Sequence, residues 1–155
     1  MTGFERLRDF EMIDALREIL TGPIPAPFVK ALGMRVVAAS SGEVTLCLPV
    51  SPQLVHGGGV LCGQAIMAAM DFAMVLAVVA NAGGKYRPMT TVQLQTSFLI
   101  GIPADVGEVK LAARVLRAGA RLVFGEMLLT TLDGRLAAHG TTTYAFLAKK
   151  AADGR

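Results

Sequence analysis

Cysteine and histidine are scarce in this 155-residue chain, which contains two of each. Cys47 and Cys62 are too few for a disulfide scaffold, and they do not have the spacing of a zinc-binding pair. His56 and His139 add too few ligands to complete a zinc site. The sequence therefore predicts no bound metal, and no other cofactor is expected.

The first 20 residues lack the features of a leader sequence, and the net charge is small. Acidic side chains occur throughout this segment, which has no uninterrupted apolar core. We therefore expect a cytoplasmic location. A net charge of +3, from 15 Lys and Arg against 12 Asp and Glu, falls short of a nucleic-acid-binding surface. Nucleic acid is thus not an expected partner.

What the chain does have is an apolar run from Val60 to Ala80. Apart from Cys62, its only polar side chains are Gln64 and Asp71. A helix formed here is apolar on nearly every face, so the rest of the protein must surround it. A membrane span is disfavoured, because Asp71 near the middle would cost about 2.5–3.5 kcal/mol on insertion scales. We predict a buried core helix and no membrane partner.

The carboxylate within this run is the first candidate for a functional group. Burying a lone carboxylate is costly unless it is paired or hydrogen-bonded. Ionisable groups in that situation are enriched at functional sites. Asp71 is therefore the first candidate for a functional residue.

The segments on either side of the run differ in periodicity. Apolar spacings of three and four predict an amphipathic helix over 4–20, followed by a short helix that ends at Gly33. From Met34 the period is two, which predicts a hairpin before the core helix and strands over 89–100, 108–116, 121–132 and 136–147. We divide the chain into an N-terminal helical segment of the same domain (1–33), a main domain (34–148) and a tail (149–155).

This order of elements indicates an α+β fold. A curved antiparallel sheet of about five or six strands can wrap a long central helix, so that helix and sheet bury each other. One chain covers only part of such a helix, and a sheet of this size has an open edge. We therefore expect a homodimer that continues the sheet, or a dimer of such dimers.

Residues 28–147 resemble the hotdog-fold acyl-CoA thioesterases, in particular the phenylacetate-degradation type. The similar segments are DFAM at Asp71, the run TTVQLQTSFLIGIPADVGEV and the ending DGRLAAHGTTTYAF. The resemblance implies the hotdog fold, in which a sheet wraps one long helix and an N-terminal helix is added here. It also implies an enzyme that hydrolyses acyl-CoA.

That family enters its central helix through His-Gly-Gly and carries an acidic residue nine positions after the histidine. His56-Gly57-Gly58 matches the motif, but the ninth residue after His56 is Ala65. Counting back from Asp71 places Cys62-Gly63-Gln64 at the motif, and the other similar segments agree with this register. The resemblance thus implies that Asp71 is the catalytic carboxylate and that the Gly63 backbone N–H faces the thioester oxygen.

The resemblance also implies roles for residues around these two groups. Asp71 activates water or attacks the thioester itself, while Gly63, at a helix N-terminus with unpaired N–H groups, supplies an oxyanion donor. Five residues are the candidates for substrate binding: His56, Gln64, Cys62, Thr91 and Ser97. Three arginines are the candidates for binding the phosphates of CoA: Arg87, Arg117 and Arg121.

We therefore expect a thioesterase that cleaves a medium-chain or aromatic acyl-CoA at sites shared between protomers. Two alternatives stay open. One is an enoyl-thioester dehydratase or hydratase on the same fold, which would use His56 with Asp71. The other is a non-catalytic acyl-CoA-binding protein. Hydration of crotonyl-CoA would support the first, and tight acyl-CoA binding without thiol release would support the second.

Overall fold

The computed structural model describes residues 7–148, in which three α-helices and six β-strands follow one another along the chain. In chain order they are α1 (Asp9–Thr21), α2 (Pro27–Lys30), β1 (Arg35–Ser40), β2 (Glu43–Pro49), α3 (Gly63–Asn81), β3 (Met89–Phe98), β4 (Glu108–Ala118), β5 (Leu122–Thr130) and β6 (Leu136–Phe146). Two predictions fall outside the described residues: the first part of the helix predicted over 4–20, and the tail at 149–155.

The six strands form one sheet in the order β1-β2-β4-β5-β6-β3, and all of their pairings are antiparallel. Strands β1 and β3 are its edges. Within residues 7–148, β3 pairs along one side only, with β6. The predicted α+β architecture, with a curved antiparallel sheet around one long helix and an N-terminal helix, is confirmed.

Helix α3 is the core of the molecule, and twelve of its 19 residues are buried. It begins after Cys62, whose backbone is extended, and ends just before Gly83 and Gly84, which both have positive φ. Its length and apolar composition would also suit a membrane span. Here those apolar side chains pack inside the fold, as expected for a helix that is apolar on nearly every face.

Two glycines of the sheet let α3 approach the backbone of β5 and β6. A Cβ atom on Gly125 would lie 2.2 Å from Sδ of Met74, and one on Gly140 would lie 3.1 Å from Sδ of Met70. Neither position can hold a side chain unless a methionine moves. These contacts fix the height of α3 over the sheet, and therefore also the position of Asp71, which follows Met70.

Helix α1 covers one end of this core. It lies against β1 and α3 and buries Met12, Leu16 and Leu20. The spacing of four between these residues places all three on one face of the helix. The amphipathic pattern of the sequence thus corresponds to the way the helix packs.

A β-bulge in β3 changes which of its side chains face the helix. Thr91 is paired with Tyr144 and Gln93 with Thr143, so the register shifts between Thr91 and Gln93. Strict alternation along the sequence groups Thr91 with Gln93, Gln95 and Ser97. The bulge instead turns Thr91 toward α3, because one extra residue reverses the side-chain alternation.

Candidate active site

The N-terminus of α3 presents backbone N–H groups that the helix itself does not use. The first intrahelical bond runs from the Ile66 N–H to the Cys62 carbonyl over 3.2 Å. The N–H groups of Gly63, Gln64 and Ala65 come before it and point out of the helix end. The aligned peptide dipoles place partial positive charge at the same point. This end can therefore stabilise negative charge that develops on a ligand oxygen.

A cavity of about 340 Å³ lies beside this helix end. His56 and Gly63 line it together with apolar side chains that include Ile66 and Phe98. The Phe98 ring packs closely over the backbone of residue 63, since a Cβ there would lie 3.2 Å from the ring. The His56 ring accepts the Gly58 N–H at Nδ1 over 2.8 Å, so in the neutral ring the proton is on Nε2.

Asp71 lies further along α3 and is partly exposed, and its carboxylate accepts hydrogen bonds from two hydroxyl groups. Thr91 Oγ1 donates to Asp71 Oδ1 over 3.0 Å. The hydroxyl of Tyr144, a residue only 2% exposed, reaches the same Oδ1 and also the Asp71 backbone carbonyl at 2.6 Å. Burial, and then the charge of Asp71, raise the pKa of Tyr144 well above its ordinary value. The tyrosine therefore stays protonated and acts as a hydrogen-bond donor.

Comparison with known families decides what kind of domain carries these two groups. The family model described as the thioesterase superfamily matches residues 55–138, more than half of the chain. This chain belongs to the thioesterase superfamily. The matched range includes the N-terminus of α3, Asp71 and Thr91, but it ends before Tyr144.

Solved structures place this thioesterase-superfamily protein among proteins of the same fold. The conserved protein PA5202 from Pseudomonas aeruginosa is 32% identical, with a TM-score of 0.72 over 79% of this chain and 95% of the other. Thioesterase superfamily member 2 from zebrafish is 23% identical, with a TM-score of 0.76 over 91% and 99%. The PaaI protein of the Escherichia coli phenylacetic acid degradation operon is 16% identical, with a TM-score of 0.74 over 86% and 94%. The hotdog fold inferred from the sequence is confirmed.

The two predicted catalytic groups of this superfamily member are not adjacent within one chain. Gly63 and Asp71 are eight residues apart on one helix, which corresponds to about 12 Å along its axis. A thioester carbonyl in contact with the Gly63 N–H is therefore out of reach of Asp71 in the same chain.

The other predicted substrate-binding residues occupy three different surroundings. Gln64 is exposed at the first turn of α3, and Cys62, directly before the helix, is partly buried. Thr91 is hydrogen-bonded to Asp71. Ser97 is opposite His139 in the register of β3 and β6, and it faces outward because Thr96, its neighbour, contacts Met70 of α3. Ser97 and Asp71 are thus on opposite faces of the sheet.

The three predicted phosphate-binding arginines lie around the turn between β4 and β5. The Arg87 guanidinium stacks 4.0 Å above the Phe146 ring and donates to the Ala120 carbonyl over 3.5 Å. Arg117 and Arg121 flank that turn with exposed side chains. Among residues 7–148 none of the three arginines is in an ion pair with an acidic side chain. Their charges are therefore available to an anionic ligand.

A larger cavity lies elsewhere in the described chain. It measures about 920 Å³ and lies at the C-terminal end of α3, where Asn81, Tyr86 and Arg87 are among its lining residues. It contains neither the free N–H groups of the helix start nor the Asp71 carboxylate. We place the candidate site by its chemistry, since a larger volume by itself supplies no reacting group.

Two residues that the sequence analysis did not select belong to the site. Tyr144 holds Asp71, and Phe98 covers Gly63. The ending that includes Tyr144 gives no sign of its partner, which is 73 positions earlier in the chain. Phe98 has a visible signal, since it begins the run Phe98-Leu99-Ile100, three consecutive apolar residues that break the alternation of the strand. All three are exposed, and a contiguous apolar patch indicates an interface or a ligand.

The outer face of the sheet carries a separate cluster of charges. Glu126 accepts hydrogen bonds from His139 Nε2 at 2.8 Å and from Arg114 at 2.7 and 2.8 Å. The bond from His139, followed by the bond from Arg114, lowers the pKa of Glu126. His139 therefore has its hydrogen-bond partner within the sheet. Within residues 7–148 no group of three His, Cys, Asp or Glu side chains is arranged to hold a metal.

Proposed function

We propose that this protein is an acyl-CoA thioesterase that acts as a homodimer on a medium-chain or aromatic acyl-CoA. The proposal rests on the position and the hydrogen bonds of Asp71. Its carboxylate lies on the core helix, is held at Oδ1 by two hydroxyl groups and stays partly exposed. A carboxylate fixed in this way can take a proton from water. Membership of the thioesterase superfamily supports the reaction class.

The site is formed by two protomers. The distance of about 12 Å between Gly63 and Asp71 of one chain requires that a second chain supply one of the two groups. Strand β3 offers the means, since it is an edge strand with one unpaired side within residues 7–148. Pairing of two β3 strands about a two-fold axis would continue the sheet and place two identical sites at the interface.

In the proposed reaction, the thioester carbonyl oxygen accepts the Gly63 N–H of one protomer. Asp71 of the other protomer removes a proton from water as the water oxygen bonds to the carbonyl carbon. Negative charge develops on the carbonyl oxygen at the positive end of α3. The tetrahedral intermediate then collapses, the carbon–sulfur bond breaks, and the leaving CoA thiolate takes the proton that Asp71 accepted from water, which restores the Asp71 carboxylate.

The shape and charge around the site favour the proposed substrate. Ile66 and Phe98 give the cavity of about 340 Å³ an apolar wall, which suits an alkyl or aromatic acyl group. The cluster of Arg87, Arg117 and Arg121 suits the phosphates of CoA. Val123 is paired with Tyr144, the residue that is hydrogen-bonded to Asp71. Arg121 is two residues before Val123, so the cluster is about 7 Å along the strand from the Val123–Tyr144 pair.

The direct test is thiol release from a panel of acyl-CoAs from acetyl through lauroyl to phenylacetyl and benzoyl. We expect release that depends on the acyl group and falls to a small residual rate in Asp71→Asn. Asp105→Asn is the control, because it removes an exposed carboxylate outside the site. Equal activity of wild type and Asp71→Asn would contradict the mechanism. Absence of thiol release from the folded wild-type protein would contradict the function, and crotonyl-CoA hydration or tight acyl-CoA binding would then identify the alternative.

A further inference from the structure

Tyr144 is the most deeply buried polar group that touches the proposed site. It lies on β6 with its side chain 2% exposed, facing α3. Its hydroxyl oxygen is 2.6 Å from the Asp71 backbone carbonyl and is also hydrogen-bonded to Oδ1 of the same residue. A buried tyrosine hydroxyl needs a partner, and here a single residue supplies both acceptors.

The two donors to Asp71 differ in what they can do. Thr91 lies on the edge strand β3, which the proposed dimer pairs with its counterpart, whereas Tyr144 lies on the inner strand β6 and is buried in the core. Both donate to Oδ1. None of the residues 7–148 donates a hydrogen bond to Oδ2. The carboxylate is thus held through Oδ1, while Oδ2 has no donor among residues 7–148, and the tyrosine is the donor that lies within the core of a single chain.

We propose that Tyr144 is a positioning residue of the hydrolytic site, which holds Asp71 through Oδ1 so that Oδ2 faces the attacking water. This role rests on the proposed function. Oδ2 accepts the proton that water loses, while the hydroxyl of Tyr144 keeps its own proton throughout. A carboxylate without this anchor can rotate about its side-chain bonds, and small errors in the placement of a base reduce the rate strongly.

The test compares Tyr144→Phe with Thr142→Val. Thr142 is on the same strand and the same face, is 3% exposed, and donates its hydroxyl to the Gln93 carbonyl over 2.8 Å. Each variant removes one buried hydroxyl and keeps the shape of the side chain, but only the first touches Asp71. We expect Tyr144→Phe to lower kcat by about ten- to a hundred-fold, the effect of losing a hydrogen bond to a charged group, with KM little changed. Thr142→Val should leave kcat within a few-fold of wild type.

A double-mutant cycle separates positioning of Asp71 from a general structural effect. In the Asp71→Asn background, Tyr144→Phe should cause little further loss, because the group it positions no longer acts as a base. The proposal would be overturned if Tyr144→Phe lowered kcat no more than Thr142→Val, or if it lowered the residual rate of Asp71→Asn by the same factor as that of wild type. If the wild-type protein released no thiol from any acyl-CoA, the proposed function would fail first, and the role of Tyr144 with it.

Discussion

Replacing Gly63 with proline removes one N–H group from the start of α3 while allowing the helix to form. Residue 63 is the first helical position, where proline is well tolerated. The preceding Cys62 has φ −71° and ψ 145°, the extended conformation that a following proline requires. Gly63→Ala is the matched control, since it adds the same Cβ atom, 3.2 Å from the Phe98 ring, and keeps the N–H.

The size of the effect follows from the role assigned to this group. Loss of one oxyanion donor costs about 2.7–4 kcal/mol in the transition state, or roughly 10²–10³ in kcat. Gly63→Ala requires only a small shift of Phe98, so we expect its kcat to stay within a few-fold of wild type. The difference between proline and alanine at one position therefore measures the loss of the N–H together with the ring carbons that proline puts in its place, apart from the effect of the Cβ atom.

The assay is thiol release at saturating acyl-CoA for wild type and both variants. Thermal unfolding followed by circular dichroism serves as the control for folding. If the proline and alanine variants have equal kcat while both remain folded, the N–H of Gly63 is not the oxyanion donor and the reasoning from the helix end is refuted.

Three further changes test other parts of the structure. Gly125→Ala should cost about 1–3 kcal/mol of folding stability through its contact with Met74, and the cost should shrink in a Met74→Ala background when both are measured by denaturant unfolding. Arg117→Ala should raise KM for acyl-CoA about two- to five-fold, the size of an exposed ion pair, and leave unchanged the KM for a matching N-acetylcysteamine thioester, which has no phosphates. His139 lowers the pKa of Glu126, so the stability that this carboxylate contributes is present at neutral pH and is lost as the pH falls through the lowered value. The Tm of Glu126→Gln should thus lie below that of wild type at pH 7 and approach it at pH 3; a constant difference would contradict this assignment.

The core of the fold could be predicted because its periodicities are simple. The apolar run around Asp71 matches α3, and Gly83, with positive φ, follows the end of that helix. Gly134, also with positive φ, lies in the turn between β5 and β6, in the gap between the strands predicted over 121–132 and 136–147. Asp71 itself stands out in the sequence, because a lone carboxylate among apolar residues needs a partner.

The partners of Asp71 could not be predicted, for two physical reasons. Tyr144 reaches it through a tertiary contact between residues 73 positions apart. Thr91 reaches it because a β-bulge reverses the alternation of β3, and nothing in the local sequence of that strand marks the extra residue. The same bulge separates Thr91 from Ser97, which strict alternation would place on one face.

The most direct test of the two-protomer site is complementation between two variants that each retain little activity. Asp71→Asn and Gly63→Pro chains, carrying different affinity tags, are coexpressed and the mixed dimer is isolated. One of its two sites then contains an intact Asp71 and an intact Gly63, each from a different chain. We predict that the mixed dimer recovers about half of the wild-type thiol-release rate, as expected for one of two symmetry-related sites. A mixed dimer as inactive as either variant alone would contradict a site shared between protomers.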